Sequence, residues 1–428
     1  MPILPRRRFM QGSALALALA GAAACGKSDS GSGGEGAFEG TGPINWVQGK
    51  DNSGGKVKAR IEEWNKLYPD EKVTLIELSA EADQQRADMI NAAQTKSASH
   101  DVISVDLVWV AEFAAHQWIV ELPAEELKND DIIPAVWETG MYRDKLYAMP
   151  FATDAPIMYY RKDLLAQAGV EVPTTWEEVK TAVEAVRKLP GYESIGGFGG
   201  QWAKYEGLTC NISEFIHTAG GAFYDDNDKV AINSSEAIAG AQTAADGFKD
   251  GIIPKEALEW KEEDGRNAFE ADKLLFYRQW PYQYANNLEA LGEEKFGVAA
   301  LPSIGGKAFV PTLGGHNCAI TTNCKNKATA LKFVKWWTSE ESERYALETQ
   351  TLAPILASLY KDEAMLKKFP YLTILRESLD NAKGRPSAVA YGDVTAAIQD
   401  AFHPVLQGTG TAKDAIAGLE TKLNELES

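Results

Sequence analysis

The chain has 428 residues, of which 45% are hydrophobic, enough for packed interiors and, beyond its leader, for two lobes rather than one core. Its formal net charge of −18 disfavours a polyanion, so no nucleic-acid partner is expected.

The N-terminus carries Arg6-Arg7-Arg8-Phe9, an apolar run from Ser13 to Ala24, and then Cys25. A positive head, a short apolar stretch and small residues before a cleavage point make an export signal, here residues 1–24, and the run is too short to span a bilayer. Arg6-Arg7-x-Phe9-Met10 resembles a twin-arginine signal, and Cys25 after three alanines resembles a lipobox. Ala22 stands where leucine is commoner in a lipobox; the alternative is an ordinary secretory signal with an incidental cysteine. Residues 25–42 then read as an acylated Cys25 and a flexible tether, with Gly31-Ser32-Gly33-Gly34 offering nothing to bury.

The body opens on a strand at Ile44–Val47, a polar turn through Gly49 to Gly55, and a helix from about Lys56 with Val57, Ile61, Trp64 and Leu67 on one face. A second strand covers Val73–Leu78, a helix Asp83–Ala93, and a buried-type strand Asp101–Asp106. This β-α-β-α-β order predicts a mainly parallel sheet with helices on both faces. Ile157–Tyr160 reads as a further strand, and Thr175 with Glu178 three residues on forms a capping box. Tyr224–Val230 reads as a hairpin turn, and the remainder is mostly helical, most clearly over 328–338 and 340–347.

Several chemistries find no support. There is no P-loop pattern, no Gly-x-Ser-x-Gly, no His-Glu-x-x-His and no zinc-like Cys/His spacing, so neither a metal nor a cofactor is expected. With Cys25 acylated, Cys210, Cys318 and Cys324 remain, leaving open one disulfide with a free thiol or three buried thiols.

Tyr159-Tyr160-Arg161-Lys162-Asp163-Leu164-Leu165, Pro173-x-Thr175-Trp176-Glu177-Glu178 and Leu146-Tyr147-Ala148-Met149-Pro150 together resemble the extracellular solute-binding proteins of ABC sugar importers, the maltodextrin-binding branch in particular. Tyr205-Glu206-Gly207-Leu208-x-Cys210, Trp280-Pro281-Tyr282, Thr312-Leu313-Gly314-Gly315 and Arg385-Pro386 make the chain look most like trehalose/maltose-binding lipoproteins. The resemblance implies an α/β, two-lobed periplasmic-binding-protein-like fold of type II, with a hinge and an inter-lobe cleft. It implies one lobe from residues 43–152 plus about 312–365 and the other from 155–308 plus about 366–428. It further implies a monomeric, non-enzymatic receptor, lipid-anchored outside the cell membrane, that binds a disaccharide (trehalose first, maltose next) and delivers it to an ABC permease. An extracellular glycoside hydrolase, a cell-wall interaction protein, and a same-family receptor for glycerophosphodiesters or other oligosaccharides are the alternatives.

A sugar offers hydroxyls and apolar C–H faces, so its site needs a few polar groups among aromatic rings. Asp106 ends the third strand, where open α/β sheets place ligands; the alternative is an N-cap before Leu107. By resemblance Asp106 and Asp154 accept hydroxyls, Trp280 stacks on a glucosyl ring, and Arg385 donates a fork to vicinal hydroxyls. Gly315 admits close backbone approach, and the resemblance also places Tyr205 at the ligand. Gln48, Asp51, Asn52 and Ser53 occupy the loop after the first strand, and one of the four, Asn52 among the candidates, is expected to touch ligand. His316 and Ala152 stand where some relatives have aromatic rings, which removes stacking area.

Overall fold

The computed structural model describes residues 38–225, 227, 229–386 and 388–427. The expected signal, Cys25 and most of the tether lie outside the described residues. Among those described, no helix is long and apolar enough to cross a membrane.

Eleven strands form two large sheets and one small hairpin among the described residues: β1 (Ile44–Gln48), β2 (Val73–Glu77), β3 (Val102–Asp106), β4 (Met141–Tyr142), β5 (Lys145–Leu146), β6 (Ala148–Asp154), β7 (Ile157–Arg161), β8 (Gly196–Gly199), β9 (Leu274–Gln279), β10 (Phe296–Ala299) and β11 (Gly314–Ile320). The first sheet has the order β2-β1-β3-β11-β6. Its β1–β2 and β1–β3 pairs are parallel, as the alternating pattern predicts. The chain then returns from the second lobe and inserts β11 antiparallel between β3 and β6. Every residue of β3 is buried, as a strand covered on both faces must be.

The second sheet has the order β10-β7-β9-β8, and only its β8–β9 pair is parallel. The expectation of a mainly parallel architecture therefore holds for the first half of the first sheet and not for this one. Helices Glu206–Ala219, Ser235–Lys249, Tyr391–Leu406 and Ala412–Glu427 pack together on this lobe. The capping box before Trp176–Val186 is present: the Glu178 N–H donates to Thr175 Oγ1 at 3.2 Å, and the Thr175 N–H donates to Glu178 Oε2 at 3.2 Å.

The chain crosses between the sheets at Ala155-Pro156, between β10 and β11, and again after the helix Leu372–Asn381. The last two crossings run side by side: the Leu313 N–H donates to the Lys383 carbonyl at 2.8 Å, and the Lys383 N–H to the Pro311 carbonyl at 2.9 Å. Arg385 is thereby carried next to the entry of β11. Cys210, Cys318 and Cys324 are all free and buried, so the three-thiol alternative is the one observed.

Candidate ligand-binding site

Between the two sheets lies a cavity of about 640 Å³, within the range of small-molecule sites. The first lobe contributes the loop after β1, the ends of β3 and β6, the start of β11 and the helix Glu340–Gln350; the second contributes residues around Tyr205, Glu262 and Trp280. Asn52, Asp106, Asp154, Tyr205, Trp280, Gly315, His316 and Arg385 all line this one space.

β3 and β6 flank β11 and are both antiparallel to it, so their carboxyl ends emerge on the same edge. Asp106 and Asp154 are the last residues of those strands. Asp106 also caps the short helical turn after it, accepting from the Val108 N–H at 3.3 Å, so its capping and cleft-facing placements coexist. Asp154 Oδ1 is buried without a hydrogen-bond partner. Burial, reinforced by the neighbouring Asp106 charge and opposed by Arg278, pushes the Asp154 carboxyl up to about 8.

Gly314 pairs in register with Asp154. A Cβ there would come within 3.0 Å of the Trp280 ring and 3.1 Å of Asp154 Cβ, so glycine lets the acid and the indole pack together. Gly315 has φ +134°, and a Cβ would lie 2.5 Å from the Ala152 carbonyl oxygen. Trp280 is held from behind: the Arg278 guanidinium carbon lies 4.2 Å from the ring centroid, a cation–π contact that occupies one face. Arg278 is itself buried and paired with Glu214, donating from Nε to Oε2 at 3.0 Å.

Arg385 is buried, and its fork is directed at protein carboxylates. Its terminal nitrogens donate to Asp106 at 2.6 and 3.1 Å and to Glu206 at 2.6 Å, which leaves Nε without a partner. The fork that the resemblance assigns to sugar hydroxyls is thus engaged by two acids. His316 pairs in register with Asp106; burial, with the opposed influences of Asp106 and Arg385, holds its imidazole below the ordinary value and hence neutral at pH 7. Tyr205 donates its hydroxyl to Glu262 Oε2 at 2.8 Å. Asn52 is exposed at the mouth, while Asp51 beside it accepts from the Ser53 N–H at 2.9 Å.

Glu206 and Glu262 do not stand out as site residues in the sequence, yet both line the cavity. Burial raises both carboxyls above the ordinary range. Each sits at the start of a helix, where an acid is commonplace because it complements the helix dipole. Among the described residues, no group of three or more His, Cys, Asp or Glu side chains is placed to hold a metal.

Two lobes joined by several crossings around a polar and aromatic cleft define a solute-binding protein. The chain belongs to the bacterial extracellular solute-binding protein family, which its residues 50–344 match. It is 31% identical over 366 residues to a probable ABC transporter-binding protein of Deinococcus radiodurans, covering 83% of this chain and 86% of that one. A maltotriose-binding protein of Pyrococcus abyssi is 25% identical over 383 residues, covering 85% and 77%. Among solved structures, maltose-bound MalE3 of T. maritima superposes with a TM-score of 0.84 at 30% identity, covering 90% of this chain and 99% of that one. The GacH receptor of Streptomyces glaucescens shares the fold, with a TM-score of 0.81 at 22% identity over 91% and 99% of the two chains. The type II two-lobed α/β fold is therefore the fold of this protein.

Proposed function

We propose that this chain captures a small α-glucoside, trehalose ahead of maltose, and presents it to the permease of an ABC importer. The observation that carries the reading is the convergence of Asp106, Asp154 and Trp280 on one inter-lobe cavity of about 640 Å³. Asp154 lines the cavity as an acceptor for a hydroxyl, Trp280 brings one open face to a sugar ring, and Gly315 a backbone that a ligand can approach closely. Asn52, Tyr205 and His316 complete the polar rim, and Arg385 orients Asp106. The cavity wall carries ten acidic residues against five cationic ones, and three of those five, Arg385, Arg60 and Lys261, are paired with carboxylates, which favours a neutral saccharide over a phosphodiester. The lobes correspond to residues 43–152 with about 312–365, and 155–308 with about 366–428, a division that follows the two sheets. The protein works as a monomer, held to the outer face of the cell membrane through an acylated Cys25.

A thermal-shift panel followed by calorimetry tests this. A ligand that binds only the folded form raises its melting point, so trehalose or maltose is expected to do so and to be recovered unaltered. No shift with any α-glucoside would overturn the reading, and release of glucose would replace it with a hydrolase.

A further inference from the structure

Arg385 belongs to neither sheet. It sits on the third crossing, with Asp106 of the first lobe on one side and Glu206 of the second on the other. Glu206 begins the helix Glu206–Ala219, which packs against Tyr391–Leu406 and Ser235–Lys249. Both its oxygens are engaged: Oε1 by Arg385 and the Tyr391 hydroxyl, Oε2 by Thr395 Oγ1 at 2.8 Å. Tyr391 is fully buried in a cluster with Val47, Ile103 and Trp109 of the first lobe. Arg385 and Tyr391, close in the chain, thus grip both lobes, once through charge and once through an aromatic ring whose hydroxyl reaches Glu206. A second cross-lobe pair, Lys261 with Glu81 at 2.6 Å, has both side chains over a third exposed, so screening leaves it little weight.

We infer that the Asp106–Arg385–Glu206 relay, with Tyr391, is a latch that sets how far the two lobes stay closed, and that Glu206 and Tyr391 govern solute affinity as positioning residues. The physical reason is the cost of opening. Separating the lobes withdraws one of the two carboxylates from Arg385, and the charge-assisted hydrogen bonds lost there are stronger than neutral ones. Apparent affinity scales with the fraction of molecules in the binding-competent state, so loosening the latch weakens binding without touching the solute. Glu206 lines the cavity whereas Tyr391 and Thr395 do not, so Tyr391→Phe is the variant that separates this role from direct contact. The inference concerns closure and stands apart from the identity of the sugar.

The test compares wild type, Tyr391→Phe and Glu206→Gln by small-angle scattering with and without trehalose or maltose, and by stopped-flow release kinetics. Both variants are expected to give a larger radius of gyration without sugar. Both are also expected to release sugar about ten-fold faster at little change in capture rate, as the loss of one hydrogen bond to a charged group allows. Tyr391→Phe decides the matter if Glu206→Gln does not fold. Scattering and release indistinguishable from wild type would overturn the latch. If wild type binds neither sugar, the functional reading fails while the sugar-free scattering comparison still tests the latch.

Discussion

Asp106 and Asp154 end the two strands that flank β11, the first facing His316 in register and the second Gly314, yet of the two only Asp106 is ion-paired among the described residues. The pair therefore divides its labour. Asp106 is fixed by two hydrogen bonds from Arg385 and one from the Val108 N–H. Asp154, with a buried and unpartnered oxygen, keeps its proton near neutrality and can donate as well as accept.

The first prediction concerns pH. Native Asp154 releases its proton near 8, whereas an unfolded aspartate does so at about 4. Between those values the unfolded chain binds fewer protons than the native one, so this group lowers stability as pH rises. Asp154→Asn removes the effect. Its melting temperature should match wild type near pH 4 and exceed it by several degrees near pH 8, as read by scanning calorimetry. A constant difference across that range would contradict a raised Asp154.

Sugar binding separates hydrogen bonding from charge at the same position. Asp154→Ala deletes the polar group and is expected to weaken trehalose or maltose binding by roughly ten- to a hundred-fold while leaving the fold intact. Asp154→Asn retains a donor and an acceptor and should stay within a few-fold of wild type at pH 6. Titration calorimetry on both variants reads the outcome, and unchanged affinity in Asp154→Ala would remove this residue from the site.

In the proposed reading Trp280 supplies the stacking surface. With Arg278 over one face, the ring has one face left for a ligand. Trp280→Ala should cost about ten- to a hundred-fold in affinity, since aromatic stacking adds to buried area, and Trp280→Phe should recover part of it. Loss of the sugar-induced change in tryptophan fluorescence in Trp280→Phe would mark the same ring as the reporter.

The local features of this chain are readable in its sequence and the long-range ones are not. The helix starts, the capping box and the Asp106 strand end follow from neighbours in sequence. β11 pairs with β3 over more than 200 residues of chain, and nothing in its composition distinguishes that insertion from a parallel addition. A helical ion pair would show as an acid four residues from Arg385, but the partners of this arginine lie 279 and 179 residues off. Glu206 reads as an ordinary first-turn acid for the same reason. Gly315 is legible as a residue permitting close approach, although which carbonyl it meets is not.

Gly315 yields a stability prediction. Its φ of +134° and the 2.5 Å separation between a Cβ at this position and the Ala152 carbonyl oxygen leave no room for a side chain. Gly315→Ala should destabilise by more than about 1 kcal/mol, because the strain exceeds the entropy gained in the unfolded chain. Denaturant unfolding should show a lower midpoint at unchanged slope. Gly418→Ala, where a Cβ meets nothing within 4 Å, serves as the control and should be neutral or mildly stabilising.

Thiol chemistry gives the last expectation. Cys210, Cys318 and Cys324 are buried and unpaired, and burial pushes all three thiols above their ordinary range, so each is both hidden and protonated. The thiolate is the nucleophile, so two barriers act together against reaction. In native protein whose Cys25 is blocked by acylation or absent from the processed chain, a chromogenic disulfide should detect no thiol on the timescale of minutes. After guanidinium unfolding it should detect three, and a reductant should leave the melting temperature unchanged. A melting point that falls on reduction would require a disulfide among these residues and would contradict their unpaired state in the structure.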